Sequence, residues 1–161
     1  MDDNRFAPPK ANVEGPHADA GTAPPLWNPN AAANWSLVFS PAFGAWLQME
    51  NWKSVGETQR AASSKAWLIG CACILLGLIL VGGLMPRSAL AALTNPLAFV
   101  MLITWYFASA RSQANWVKER FGADYPRRGW TKPLLWGLGF YVVIIVVAMI
   151  AGFAGAAIAG A

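Results

Sequence analysis

The chain has 161 residues, of which only 12 are Lys or Arg and 8 are Asp or Glu, while 56% are apolar. A soluble domain carries about a quarter charged residues, so this composition excludes an ordinary soluble fold and points to an all-α integral membrane protein. The net charge of +4 is too small and too clustered for a nucleic-acid footprint, and the scarce potential ligands, Cys71, Cys73 and His17, argue against a metal site, a cofactor or a disulfide-stapled module.

Residues 1–26 are rich in Pro, Ala and Gly, carry charges of both signs and lack hydrophobic periodicity, which predicts a disordered cytoplasmic tail. Asp2 and Asp3 stand where a signal peptide needs basic residues, and no apolar stretch follows them, so no cleaved leader is expected. Residues 27–65 form an aromatic segment in which Trp35, Phe43, Trp46 and Trp52 are candidate interfacial residues. Asn28-Pro29 and Ser40-Pro41 each put a capping side chain before a proline, which predicts two helices, about 29–39 and 41–55, with Gly56 ending the second. The second carries Ala42, Ala45, Trp46, Met49 and Trp52 on one face. That pattern suits an amphipathic helix lying in the membrane plane, or equally one packed onto the protein's own helices. A crossing by residues 31–49 is the alternative, made costly by Asn34, Ser36, Ser40, Pro41 and Gln48.

Residues 66–161 predict three transmembrane helices. The run 66–85 is free of charge and would extend about 30 Å, the thickness of the hydrocarbon core. In it Cys71 and Cys73 point to nearly opposite sides and cannot pair. The run 88–110 is interrupted at Asn95-Pro96, which predicts a kinked second span continuing as a cytosolic stalk to Phe121, with Ala110, Ala114, Val117 and Phe121 as its apolar stripe. Residues 134–160 form the third. Before it stand Arg127, Arg128, Trp130 and Lys132, a basic and aromatic approach suited to anionic lipid headgroups. Six Lys and Arg lie in 111–133, against only Arg87 in 86–89 and none at the C-terminus, so the 111–133 loop and the N-terminus are expected in the cytoplasm and the C-terminus in the periplasm.

No ionisable residue lies within the apolar runs, and transporters and pumps place such residues at membrane depth. Asn95, Thr104 and Tyr106 read as a cap, a backbone-bonded hydroxyl and an interface aromatic, and Glu119, Arg120 and Asp124 as a solvated turn, which leaves no catalytic constellation. The clearest pattern is steric. Ala148, Gly152, Ala156 and Gly160 recur every four residues in the last run, and Ala151, Gly155 and Ala159 form a second ridge beside them, the small-residue geometry that lets helix backbones approach closely. A looser series, Ala66, Gly70, Cys73 and Gly77, marks the first run. Such ridges pack either the protein's own helices or a partner, another membrane protein or a second copy.

The lead Asn4-Arg5-Phe6-Ala7-Pro8-Pro9-Lys10-Ala11 resembles the start of many bacterial inner-membrane proteins, including RDD-type proteins, although the Arg-Asp-Asp signature is absent here. The blocks Trp35-Ser-Leu-Val-Phe-Ser-Pro-Ala-Phe-Gly-Ala-Trp46, Trp105-Tyr-Phe and Arg120-Phe-Gly-Ala-Asp-Tyr-Pro-Arg-Arg-Gly-Trp130 resemble small uncharacterised bacterial inner-membrane proteins. The resemblance implies a location and no activity. The expected role is a non-enzymatic accessory or assembly subunit of an inner-membrane complex. An immunity protein against a membrane-active toxin and a lipid-modifying enzyme are the alternatives.

Overall fold

The computed structural model describes residues 23–160, and among these the regular elements are all helices, apart from one isolated bridge between Leu26 and Arg127. The tail expected over 1–26 falls outside the described residues as far as 22. Its last residues, 23–26, are described, and Leu26 is fully buried, so this end of the segment is part of the fold.

Helix α1, Pro29–Phe39, starts as Asn28-Pro29 predicts: the Asn28 side chain accepts from the N–H groups of Asn30 and Ala31 at 3.0 and 3.4 Å. Helix α2, Pro41–Ser54, follows after Ser40 alone. Ser40 makes no side-chain cap bond; it turns the chain with a φ of 113° while its backbone N–H donates to Ser36 O at 3.0 Å. Gly56, at φ 78°, ends α2 as expected. The two helices form a hairpin whose ends meet. The Trp27 N–H donates to Asn51 Oδ1 at 3.0 Å, and Asn51 Nδ2 donates back to Trp27 O at 2.8 Å.

This hairpin corrects the in-plane reading of the aromatic segment. Helix α2 is buried on every side, by Ala42, Phe43, Gly44, Ala45, Leu47, Gln48, Met49, Asn51 and Trp52, so it has no lipid-facing stripe. Gly44 makes this possible, because a Cβ there would overlap both Ser36 Oγ on α1 and the Trp105 ring. The hairpin also removes the four-span alternative, since residues 31–49 return to the end of the molecule from which they started.

Helix α3, Thr58–Leu84, contains the first apolar run and extends beyond its start by about two turns. It lies along α2, with Ala61 packed near Met49 and Trp52, and Cys71 near Ala42 and Met101. The run 88–110 differs from expectation. One turn, α4 (Ala89–Ala92), is capped by Ser88 Oγ, and a separate helix α5 (Thr94–Trp105) follows. Pro96 falls in the first turn of α5, where its missing N–H leaves no gap, so the chain breaks before the proline and α5 is not kinked by it. The irregularity comes later, in a π turn at Tyr106–Ala110 that leads without interruption into α6, Arg111–Phe121.

Nor is α6 a free stalk. It packs against α1, with Gln113 and Val117 buried, while the expected stripe residues Ala114 and Phe121 are only partly covered. Helix α7, Thr131–Gly160, contains the last run and adds a turn before it.

Two helices, α3 and α7, are long and apolar enough to cross a membrane. The core helix of a soluble protein passes the same test of composition but is mostly buried, whereas beyond Lys65 only Cys71 is buried on α3, and on α7 only Pro133, Gly137, Ala151 and Gly155.

Candidate functional site

Helices α3 and α7 touch at the end far from the hairpin, where a Cβ on Gly83 would lie 2.5 Å from Ala151 Cβ, and one on Gly155 would overlap Gly83 O. Backbone meets backbone there, the close approach that small residues allow. The internal seam therefore uses the second ridge, Ala151 and Gly155. The first ridge does not take part in the same way: Ala148, Gly152, Ala156 and Gly160 are exposed, and added Cβ atoms at Gly152 and Gly160 would meet nothing within 4 Å. Gly152, Ala156 and Gly160 instead line the open side of a cavity of about 520 Å³ beside the seam, closed on the other side by Gly82, Gly83, Pro86 and Arg87. The α3 series Ala66, Gly70, Cys73 and Gly77 is exposed and makes no seam.

At the opposite end a polar junction ties the hairpin to the π turn and α6. Gln113 Nε2 donates to Gln48 O at 3.0 Å, Asn51 Nδ2 to Gln113 Oε1 at 3.3 Å, and Ser109 Oγ to Gln48 Oε1 at 3.0 Å. Gln48, Asn51 and Gln113 are all at least 98% buried, so their hydrogen bonds are made within the protein. Sequence reading missed this junction. Gln48 and Asn51, three residues apart on a helix whose other buried residues are mostly apolar, were its only signal. Trp105, also buried, leaves its indole N–H without a partner among the described residues.

The aromatic residues divide. Phe43 and Trp52 are buried inside the molecule, a correction to their interfacial reading, whereas Trp35 and Trp46 are half-buried. Rings of Trp35, Phe39, Phe43, Trp46 and Trp27 follow one another at 5.0–6.1 Å between centroids, with Trp130 packed on the same cluster.

The basic approach to α7 divides as well. Arg128 turns inward: its Nη2 donates to Ser54 Oγ at 3.0 Å and its guanidinium lies 4.7 Å from the Trp27 ring centroid. Its backbone N–H donates to Leu26 O at 2.9 Å, and Leu26 N–H to Pro126 O at 3.0 Å. Arg128 is thus a structural clasp and no free headgroup contact. Arg127 and Lys132 remain exposed. Burial pushes the Tyr125 phenol above its ordinary pKa, an effect that Arg127, 5.7 Å over the ring, opposes.

Between the hairpin and α7 lies a groove of about 380 Å³ whose walls include Phe39, Phe43, Trp46, Leu68, Trp136 and Phe140. No family model matches the sequence, and no curated protein or solved structure matches it either.

Proposed function

We propose that the protein is a non-enzymatic accessory or assembly subunit of a bacterial inner-membrane complex, inserted in the bilayer and acting by helix packing. Helices α3 and α7 cross in full. Helix α5 with its π turn reaches about 26 Å and makes the third crossing. The α1–α2 hairpin re-enters from the cytoplasmic side, its tip reaching the depth of Cys71, about 9 Å beyond Lys65. Support for insertion comes from the outer surface, where Phe153 (75% exposed), Ile158 and Ile150 on α7, and Phe99 and Val100 on α5, form an apolar face far larger than a soluble monomer leaves to water. The six basic residues of 111–133 favour the cytoplasm for that loop, with Arg127 and Lys132 toward anionic headgroups.

The observation that carries the accessory role is the division of labour between the ridges of α7. Ala151 and Gly155 account for the internal seam, which leaves Ala148, Gly152, Ala156 and Gly160 exposed as a second close-packing ridge, the last three bordering the open cavity beside Gly82, Gly83, Pro86 and Arg87. Paired substitutions test it. Gly155→Leu drives a branched side chain into Gly83 and should lower the thermal stability of the detergent-solubilised protein. Gly152→Leu should leave stability unchanged and abolish co-purification of the partner or self-association. Loss of stability in both variants, with association unchanged in proportion to folded protein, would remove the partner reading.

A further inference from the structure

We propose that the groove between the hairpin and α7 holds one acyl chain of an anionic phospholipid from the cytoplasmic leaflet, with the headgroup held at Lys65 and Lys132. This rests on the membrane-inserted reading above. The groove forms where the hairpin meets α7, with Gly137 against the rings of Phe39 and Phe43, away from the close backbone approach of α3 and α7 at Gly83, Ala151 and Gly155. What remains open is walled by aromatic and aliphatic side chains. Its size, about 380 Å³, falls within the range of small-ligand sites, roughly 300–1000 Å³, and is less than two turns of a helix about 10 Å across would occupy. A polar metabolite finds only indole N–H groups on those walls. A flexible hydrocarbon chain loses nothing by entering.

Charge selects the headgroup. Lys65 precedes the lining residue Leu68 by one turn of α3, and Lys132 precedes Trp136 by one turn of α7, so each wall carries an exposed ammonium one turn nearer the loop end than its lining residue. Lys65 also stands about five full turns before Gly83, which puts it on the side of α3 that Gly83 presents to α7. Both lysines therefore stand one turn from a lining residue of the same groove, each on the loop side of it. No acidic residue occurs in 65–80 or 128–140 to neutralise them, and the nearest acid of the hairpin, Glu50, is paired with Lys53 at 2.7 Å. The flexible four-carbon stems let both ammonium groups reach the phosphate level while the chain lies deeper.

The full chain is extracted in mild detergent, reconstituted in nanodiscs of phosphatidylcholine doped with phosphatidylglycerol of the same acyl chains, and ejected into a native mass spectrometer. One phosphatidylglycerol should be retained per chain, in preference to phosphatidylcholine by about tenfold, and Lys65→Ala with Lys132→Ala should erase that preference. Leu68→Trp fills the groove and should remove retention. Phe140→Ala, at a side chain 46% exposed, spares the packing and should weaken retention. Equal retention of the two lipids, or retention unmoved by both groove variants, overturns the proposal. Carbonate extraction of the starting membranes separates the two failures: release of the protein by carbonate overturns insertion itself, whereas retained protein with no bound lipid overturns the groove alone.

Discussion

Gly44 shows how one absent side chain lets three elements converge, since α1, α2 and the end of α5 meet over its bare Cα. Gly44→Ala should destabilise the protein by about 1–3 kcal/mol, because Ser36 and the ring of Trp105 must both move, and thermal unfolding in detergent reads the loss. Asn51 is the polar counterpart, holding the N–H and C=O of Trp27 and the amide of Gln113 at once. Asn51→Leu should cost about 2–4 kcal/mol, since three buried polar groups lose a partner. It should also free the start of the hairpin, seen as faster amide exchange at Trp27. At this scale some residues were legible and others were not. Asn28 caps α1 as its place before Pro29 implies, whereas Ser40, in the same sequence context, does not cap α2. The difference is tertiary. Turning the hairpin in one residue forces Ser40 to a positive φ and leaves its hydroxyl buried without a partner among the described residues.

Among elements, the apolar runs 66–85 and 134–160 were legible to within about two turns, because a charge-free stretch of that length needs no neighbour to define it. Run 88–110 was not. The dipeptide Asn95-Pro96 reads as a kink when the helix is assumed to be continuous, and as a first turn when the helix begins at Thr94; only the course of α4 distinguishes the two. Pro96→Ala therefore separates them by experiment. At a first-turn site the change should alter stability by no more than about 0.5–1 kcal/mol, whereas relief of a mid-helix kink would restore a missing hydrogen bond and stabilise markedly, by about 3 kcal/mol. Helix α2 lies where Ser40-Pro41 and Gly56 put it and packs on the protein's own helices, one of its two readings; the in-plane reading gave way for another reason. The aromatic face of α2 looked amphipathic, but Gln48, which falls off that face, and its neighbour Asn51 are buried through the partners they meet on α6 and at Trp27, and a residue's period says nothing of a partner about 62 positions away.

For the molecule as a whole, the clasp between residues 26–28 and 126–129 constrains the topology more tightly than the basic-residue count alone. Leu26 exchanges backbone hydrogen bonds with Pro126 and Arg128, and the Trp27 indole donates to Gly129 O at 3.0 Å, so the tail and the basic loop must emerge on one side of any bilayer. In the proposed topology an odd number of crossings separates that side from the C-terminus: α3, α5 with its π turn, and α7. Single cysteines in a Cys71→Ala, Cys73→Ala background read this directly. Ala18→Cys and Ala123→Cys should resist an impermeant maleimide in intact cells and react once the inner membrane is opened, while Ala161→Cys should react in intact cells. Labelling of Ala18→Cys and Ala123→Cys together, with Ala161→Cys protected, would invert the orientation yet preserve the fold. Labelling of only one of the first two would break the clasp, and with it the proposed re-entrant hairpin, since segments joined by three hydrogen bonds cannot stand on opposite faces of a membrane.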